Sequence, residues 1–256
     1  MYRLAVNAET LFRDRPFDQR VMEISERGFL VDFWSPKHPN LARLAERGVE
    51  FNSFNAHLGG SLVDAQFVEE YVAGVRYAIE VAAAIGCRHL NIHTTGVDAS
   101  GNLLHTDTVT TGASWITAYR TLMELAEMAE LADVTFQLEN LNRRVDHPGA
   151  PLAGAADILT LVRAVDSPRM RILLDLYHVQ VDEGGLLDAI RAAEPWLGHI
   201  QVADVPGRHE PGTGEINYPM IAAELRHMGY EGVVGLEAFP SADDETAIDR
   251  FRAVFA

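Results

Sequence analysis

Three carboxylates and one amide lie at or near the ends of short apolar segments in the second half of the chain. These residues are Glu139, Asp175, Gln201 and Glu237. All four offer oxygen ligands, and like charges held close together are costly unless protons or a cation compensate them. Mg²⁺ or Mn²⁺ suits such an oxygen-rich set better than Zn²⁺. If a fold brings these side chains together, the pattern predicts a divalent metal centre beside two glutamates able to transfer protons.

Apolar or β-branched runs alternate with amphipathic runs along the whole chain, and no low-complexity linker or change in composition divides them. The first set predicts β-strands over residues 4–7, 30–34, 51–57, 89–93, 134–139, 172–175, 199–202 and 233–237. The second set predicts helices over residues 17–27, 40–47, 65–85, 113–132, 155–165, 186–193, 218–227 and 243–254. Gly28, Gly48, Gly86 and Gly229 each follow a predicted helix, which is typical of a residue that ends a helix with positive φ.

Eight strand-then-helix units in 256 residues match the size and order of a (β/α)8 barrel. An open doubly wound sheet usually stops at about five or six strands. No G-x-G-x-x-G or P-loop pattern follows any predicted strand, which argues against the nucleotide-binding folds that carry these motifs. The predicted fold is therefore of the α/β class: a single-domain (β/α)8 barrel, or TIM barrel, over residues 1–256.

Alternation along a strand decides which side chains face the barrel interior, because residues two apart share a face. In the fifth strand the apolar residues must pack under the helices, so Glu139 faces inward. The same argument turns Asp175, Gln201 and Glu237 inward, and active sites of this fold lie at the C-terminal ends of the strands. The alternative is a structural network in which these carboxylates pair with loop arginines such as Arg208.

Four further side chains near predicted strand ends are candidate substrate contacts. His93 and His57 follow the fourth and third strands, and each is either a substrate contact or a hydrogen-bonded core residue. Trp34 ends the second strand, where it either forms a wall of the pocket or serves packing alone. Arg208 follows the seventh strand and suits a substrate carboxylate, with an ion pair inside its own loop as the alternative.

The composition excludes several classes of protein. With 21 basic and 37 acidic side chains the net charge is −16, which argues against nucleic-acid binding. The longest apolar stretches are too short to span a bilayer, and no signal pattern opens the sequence, so a soluble cytoplasmic protein is expected. Cys87 is the only cysteine and Lys37 the only lysine, so intramolecular disulfides are excluded and Schiff-base chemistry is disfavoured.

Four segments resemble hydroxypyruvate isomerase and its relatives in the xylose-isomerase-like superfamily of sugar isomerases and epimerases. They are LENLNRRVDHPG (138–149), LLDLYHVQ (173–180), HIQVADVPGRHEPGTGEINYP (199–219) and GYEGVVGLEAFP (229–240). The resemblance implies that Glu139 and Glu237 are the family's proton-transferring pair. It implies equally that Asp175 and Gln201 complete a metal-binding quartet with these glutamates.

The same resemblance implies that His178 and Arg208 contact a small hydroxy-carbonyl substrate, and that the chain forms a homodimer or homotetramer. Two glutamates beside a metal can move a proton between neighbouring carbons through an enediolate, as in the interconversion of hydroxypyruvate and tartronate semialdehyde (2-hydroxy-3-oxopropanoate). If the pair acted on opposite faces of one carbon, it would invert that centre instead. A sugar 3-epimerase or a 2-oxo-tetronate-type isomerase is therefore the leading alternative.

Two more distant functions stay open at the level of sequence. A metal phosphodiesterase resembling endonuclease IV would use His57 and His93 together with the carboxylates, but Gln201 stands where that metal cluster needs histidine. The negative net charge also disfavours a DNA substrate. A barrel that binds without catalysis is the other possibility, and the full set of four inward polar groups argues against it.

Overall fold

Eight parallel strands close into a barrel in the computed structural model, which describes residues 2–97, 102–105 and 110–256. The strands are β1 (Arg3–Asn7), β2 (Leu30–Phe33), β3 (Phe51–Asn55), β4 (His89–Ile92), β5 (Thr135–Glu139), β6 (Met170–Asp175), β7 (Leu197–Val202) and β8 (Val233–Leu236). They pair in chain order, and β8 pairs with β1 to complete the ring. The predicted (β/α)8 barrel is confirmed.

Helices follow the strands and cover the outside of the barrel. The α-helices of the described residues are α1 (Phe17–Glu26), α2 (Leu41–Glu46), α3 (Val68–Ile85), α4 (Gly112–Ala132), α5 (Ala155–Val165), α6 (Leu176–Asp182), α7 (Leu186–Ala193), α8 (Tyr218–His227) and α9 (Asp244–Phe255). A short 3₁₀ turn, Glu194–Trp196, joins α7 to β7. Across the ranges that the structure describes, every helix is too short or too polar to cross a lipid bilayer.

The sequence pattern placed no element over 176–182, where the structure has α6. This helix begins directly at the end of β6, because the Asp175 side chain accepts a hydrogen bond from the His178 backbone N–H at 3.1 Å and caps the first turn. Four predicted boundaries differ from the structure by two or more residues. The predicted strand 51–57 stops at Asn55, and the predicted helix 65–85 begins at Val68. The predicted strands 172–175 and 199–202 begin earlier, at Met170 and Leu197.

The four glycines predicted to end helices adopt the expected backbone conformation. Gly28, Gly48, Gly86 and Gly229 all have positive φ, between 68° and 88°. After α4 and α5 the same left-handed position is held by aspartates, Asp133 and Asp166, at φ 53° and 47°. Aspartate tolerates this conformation better than most residues, so these two helix ends lacked the glycine signal that marks the others.

The predicted division between inner and outer strand faces is confirmed by the way the apolar residues cluster. Outward residues such as Phe136, Leu138 and Ile200 are wholly buried in the core between barrel and helices. Inside the barrel, Ala5, Leu30 and Val233 form a separate apolar plug at the N-terminal end. Most inward residues above this plug are polar, with Leu173 of β6 as an apolar exception. The barrel interior therefore changes from apolar to polar toward the C-terminal ends of the strands.

Asp32 lies at the centre of this inner polar layer and is almost fully buried. Its Oδ1 atom accepts hydrogen bonds from Asn52 Nδ2 at 2.7 Å and Ser53 Oγ at 3.1 Å, while Oδ2 lies 3.5 Å from His199 Nε2. Burial raises the pKa of Asp32 to about 6, and these hydrogen bonds oppose the shift. The layer fills the barrel below the site described next, so the site has a packed and polar floor.

Candidate active site

A cavity of about 1150 Å³ opens at the C-terminal ends of the strands. Its wall includes most of the residues predicted from sequence to form a site: Trp34, His57, His93, Glu139, His178, Arg208 and Glu237. The other two predicted residues, Asp175 and Gln201, are buried at the ends of neighbouring strands, where they are register partners. The structure therefore brings the predicted residues to one end of the barrel.

A compact group of potential metal ligands lies within this set. Glu139, Asp175 and His178 each offer a ligand atom, and these three atoms lie within 4.8 Å of one another. Among the described residues, His57, His93 and Glu237 do not join this group. His178, which the resemblance assigned to substrate contact, thus also lies among the candidate metal ligands, because α6 turns its ring back over the end of β6.

Arg208 compensates the negative charge of the cluster. Its Nη2 atom lies 3.5 Å from Asp175 Oδ2 and 3.4 Å from Glu237 Oε2, and its guanidinium packs over the Tyr177 ring at 5.0 Å. Burial disfavours the arginine charge, but the carboxylates of Glu237 and Asp175 raise the pKa of Arg208 overall. Burial also raises the pKa of Asp175, against the effect of Arg208. One cation for three carboxylates leaves room for a second cation or for bound protons.

Glu139 is held by side chains of the preceding strand. Its Oε2 atom accepts a hydrogen bond from Asn91 Nδ2 and lies 2.8 Å from His93 Nε2. Asn91 Nδ2 also donates to Asn55 Oδ1 at 2.9 Å, which links β3, β4 and β5 at this end of the barrel. Burial raises the pKa of Glu139 to about 7, and the hydrogen bond from Asn91 opposes the shift.

Glu237, directly after β8, is held by side chains at the ends of β1 and β2. Its Oε1 atom accepts hydrogen bonds from Asn7 Nδ2 at 3.2 Å and from Trp34 Nε1 at 2.5 Å. The indole of Trp34 therefore contributes a hydrogen bond to the site as well as a wall. Burial raises the pKa of Glu237 to about 7, and the charge of Arg208 opposes the shift. Both glutamates thus have pKa values near neutrality, where a general acid–base pair works best.

The donor set fits a divalent cation. Besides the carboxylates of Glu139, Asp175 and Glu237, the site includes Gln201, whose Oε1 atom is buried without a hydrogen-bond partner. A buried amide oxygen without a partner is uncommon, because losing its hydrogen bond to water costs about 1–3 kcal/mol. A metal ion bound by Gln201 and the carboxylates would satisfy that oxygen. The sequence prediction of Mg²⁺ or Mn²⁺ suits these oxygen ligands.

His57 and His93 lie side by side on the β3 and β4 side of the cavity, with ring centroids 4.5 Å apart. The His57 ring stacks parallel to Tyr71, and neither of its nitrogens has a hydrogen-bond partner. Burial, aided by the neighbouring His93, lowers the pKa of His57 well below its usual value, so this ring is neutral.

Sequence reasoning missed Asn7 and Asn91, which hold the two glutamates. It also missed Tyr177, against which Arg208 packs. The available signal was the position of the two asparagines near strand ends and of Tyr177 two residues after Asp175. Amides and tyrosines are too common at such positions for that signal to select them.

The loop after β7 presents Arg208 and is organised around one buried carboxylate. Asp204 is fully buried, and its oxygens accept backbone N–H groups from Gly212 at 2.9 Å, Thr213 at 3.1 Å and Ile216 at 3.0 Å. The Arg208 carbonyl accepts a hydrogen bond from the Phe239 N–H at 2.8 Å, which ties this loop to the segment after β8. Arg208 is therefore presented by a rigid loop.

We expect Asp204→Asn to lower the free energy of unfolding by about 2–3 kcal/mol. In the variant an NH₂ group would replace one carboxylate oxygen and would face backbone N–H groups that now donate to Asp204, so some of these donors would lose their acceptor. Urea denaturation followed by circular dichroism measures this change. Asp188→Asn is the matched control, since the Asp188 side chain is 92% exposed and the change should stay within about 0.5 kcal/mol. Equal effects of the two substitutions would contradict the role of Asp204 in the loop.

Comparison with known proteins places this geometry in a family. Residues 40–254 match the family model described as the xylose isomerase-like TIM barrel. The chain is 30% identical over 260 residues to a 2-oxo-tetronate isomerase of Pectobacterium atrosepticum, with 97% of this chain and 96% of that protein covered. It is 29% identical over 262 residues to a hydroxypyruvate isomerase of Escherichia coli, with 97% of each protein covered.

Solved structures agree on the fold. A crystal structure described as AP endonuclease, family 2, from Brucella melitensis superposes with a TM-score of 0.88 at 29% identity, covering 99% of both chains. A D-psicose 3-epimerase of Clostridium cellulolyticum superposes with a TM-score of 0.78 at 18% identity, a likeness that shows the fold alone. The chain belongs to the xylose isomerase-like TIM-barrel family, and it is an isomerase similar to hydroxypyruvate isomerase and 2-oxo-tetronate isomerase.

Proposed function

We propose that the protein interconverts a small 2-keto acid and its hydroxy-aldehyde isomer through an enediolate, with hydroxypyruvate and 2-hydroxy-3-oxopropanoate as the first substrate pair. The observation that carries this proposal is the pair of buried glutamates, Glu139 and Glu237, at one cavity. Each is held by hydrogen bonds from neighbouring strands, and the pKa of each is raised to about 7. Such a pair can both remove and return a proton at neutral pH.

The proton transfers follow from the chemistry of the substrate. One glutamate removes a proton from the hydroxyl-bearing carbon C3 of hydroxypyruvate, and the electron pair forms the C2–C3 double bond of the enediolate. A proton then returns to C2, while the oxygen on C3 becomes the aldehyde and the oxygen on C2 becomes the hydroxyl. The net change moves two hydrogens between neighbouring carbons and their oxygens, so no external oxidant or reductant is required.

Glu139, Asp175, Gln201 and Glu237 are the residues proposed to hold a divalent metal, Mg²⁺ or Mn²⁺, with the His178 ring beside them. A bound divalent cation would polarise the substrate carbonyl and stabilise negative charge on oxygen. The close approach of Glu139 to Asp175 supports this assignment, and Gln201 is the strand neighbour of Asp175 with an amide oxygen free to bind a cation.

Arg208 is proposed to bind the substrate carboxylate. Its guanidinium lines the cavity, and its Nε atom is buried without a hydrogen-bond partner. A planar guanidinium can bind a carboxylate through two hydrogen bonds, which also fixes the plane of the substrate. The remaining proposed contacts, Trp34, His57, His93 and His178, form the cavity wall around that anchor.

A larger substrate of the same chemical type is the second candidate. The cavity of about 1150 Å³ exceeds the range of roughly 300–1,000 Å³ common for small-molecule sites and is generous for a three-carbon acid. A four-carbon 2-oxo acid, or a ketose epimerised at one carbon, would fill more of it. A phosphodiesterase function is less supported, because Gln201 stands where that metal cluster needs histidine and the net charge is −16.

Proton NMR in D₂O tests the proposal. The protein, supplied with Mg²⁺ or Mn²⁺, is incubated with hydroxypyruvate, and we expect 2-hydroxy-3-oxopropanoate to form with solvent deuterium beside the carbonyl. A 2-oxo-tetronate and a panel of ketopentoses and ketohexoses are run in parallel. Turnover of only a larger substrate would move the assignment to the second candidate. Absence of both product and deuterium exchange across the whole panel would overturn the isomerase proposal.

A further inference from the structure

His93 occupies a position that serves Glu139 more directly than it serves a substrate. Its Nε2 atom lies 2.8 Å from Glu139 Oε2, and both side chains are more than nine-tenths buried. The other ring nitrogen, Nδ1, is buried and has no hydrogen-bond partner. Since a neutral imidazole carries one N–H, the proton belongs on Nε2 whenever Glu139 is ionised and needs a donor.

His93 is held through both its backbone and its ring. The backbone carbonyl of His93 accepts a hydrogen bond from the hydroxyl of the fully buried Tyr71 at 2.6 Å, which ties helix α3 to the segment after β4. His57 packs against the ring, with centroids 4.5 Å apart, and itself stacks on Tyr71. These contacts restrict how far the Nε2 atom can move from Glu139 Oε2, which also accepts a hydrogen bond from Asn91.

We infer that His93 is a positioning residue, whose Nε2–H fixes the Glu139 carboxylate in the orientation needed for proton transfer, with Tyr71 and His57 as its support. The inference rests on the proposed role of Glu139 as an acid–base group. It extends that role by assigning to His93 one of the two side-chain donors on Glu139 Oε2, beside Asn91.

The kinetic test compares two substitutions at one position. His93→Leu removes the donor, and we expect kcat to fall by about 10–100-fold with KM within about threefold of wild type. His93→Gln keeps an N–H near the same place and should recover most of the lost rate. His89→Gln is the matched control, because His89 lies on the inner face of the same strand but outside the cavity wall. It should leave kcat within about twofold of wild type.

A spectroscopic test does not depend on turnover. In ¹⁵N-histidine-labelled protein, long-range proton–nitrogen correlation spectra report which ring nitrogen of each histidine carries the proton, and the His93 signal is identified by its absence in His93→Gln. We expect the Nε2–H form in wild type, with a downfield proton that shifts on Glu139→Gln.

The outcomes separate the two proposals. Equal rate losses in His93→Leu and His93→Gln, an increase confined to KM, or an Nδ1–H tautomer would overturn the positioning role. A wild-type protein that exchanges no substrate proton, yet shows the Nε2–H signal coupled to Glu139, would instead overturn the proposed reaction and leave the structural link intact.

Discussion

Glu139→Gln and Glu237→Gln are each expected to lower kcat for isomerisation by about 10²–10⁴-fold. Glutamine matches glutamate in size and can still accept the hydrogen bonds that hold each side chain, but it cannot take up or return a proton. Both carboxylates are buried at the cavity, so bulk water has little access to replace them. Steady-state assays of the two variants against wild type measure the loss.

Deuterium exchange assigns the separate roles of the two glutamates. A variant that lacks the base should no longer exchange the substrate proton with D₂O, whereas a variant that lacks only the acid should still exchange it without forming product. Glu50→Gln serves as the control, because the Glu50 side chain is 67% exposed and pairs with Arg3 at the opposite end of the barrel. Retention of more than about a tenth of the wild-type kcat in both site variants would contradict the proposed acid–base pair.

Removal of divalent cations is expected to have an effect of similar size. Treatment with EDTA should lower kcat/KM by about three orders of magnitude or more, because without a cation the developing oxyanion would rely mainly on Arg208 for stabilisation. Readdition of Mg²⁺ or Mn²⁺ should restore the rate. The cation should also raise the thermal midpoint of unfolding, since it binds the folded chain preferentially and relieves repulsion among three buried carboxylates.

Gln201→Leu tests which residues bind the cation. Loss of the amide oxygen should raise the Mn²⁺ concentration needed for half-saturation, measured by electron paramagnetic resonance, by at least about tenfold. Gln137→Leu is the matched control, because Gln137 lies on the inner face of β5 two residues before Glu139 and is also buried with its Oε1 atom unpartnered. Full activity in EDTA, or equal Mn²⁺ affinity in the two variants, would rule out the proposed metal site.

The order and inward faces of the strands could be predicted from sequence because both depend on short-range pattern. Period-two alternation in β5 sets the side of the sheet on which Glu139 lies, wherever the strand is placed. Once eight such units are recognised, barrel closure brings all strand ends to one rim. The register then places Asp175 beside Gln201, as the alternation argument requires.

The partners that hold the site residues were decided by tertiary structure. Asn7 and Trp34 donate to Glu237 across sequence separations of 230 and 203 residues, because β8 closes on β1 and the end of β2 lies next to β1. The local periodicity of the sequence does not predict such contacts. The position of His178 depended on α6, a seven-residue helix that begins directly at the end of β6 and is too short to show a clear helical periodicity.

The sequence by itself thus determined the barrel, the inward direction of its polar residues and the family resemblance that suggests an isomerase. Only the tertiary structure decided that His93 bonds Glu139 and that Arg208 spans Asp175 and Glu237. The physical reason is the separation along the chain over which each feature is determined. Backbone geometry repeats over a few residues and leaves a pattern in the chain, whereas hydrogen bonds and ion pairs between strand ends depend on distances that exist only after the ring has closed.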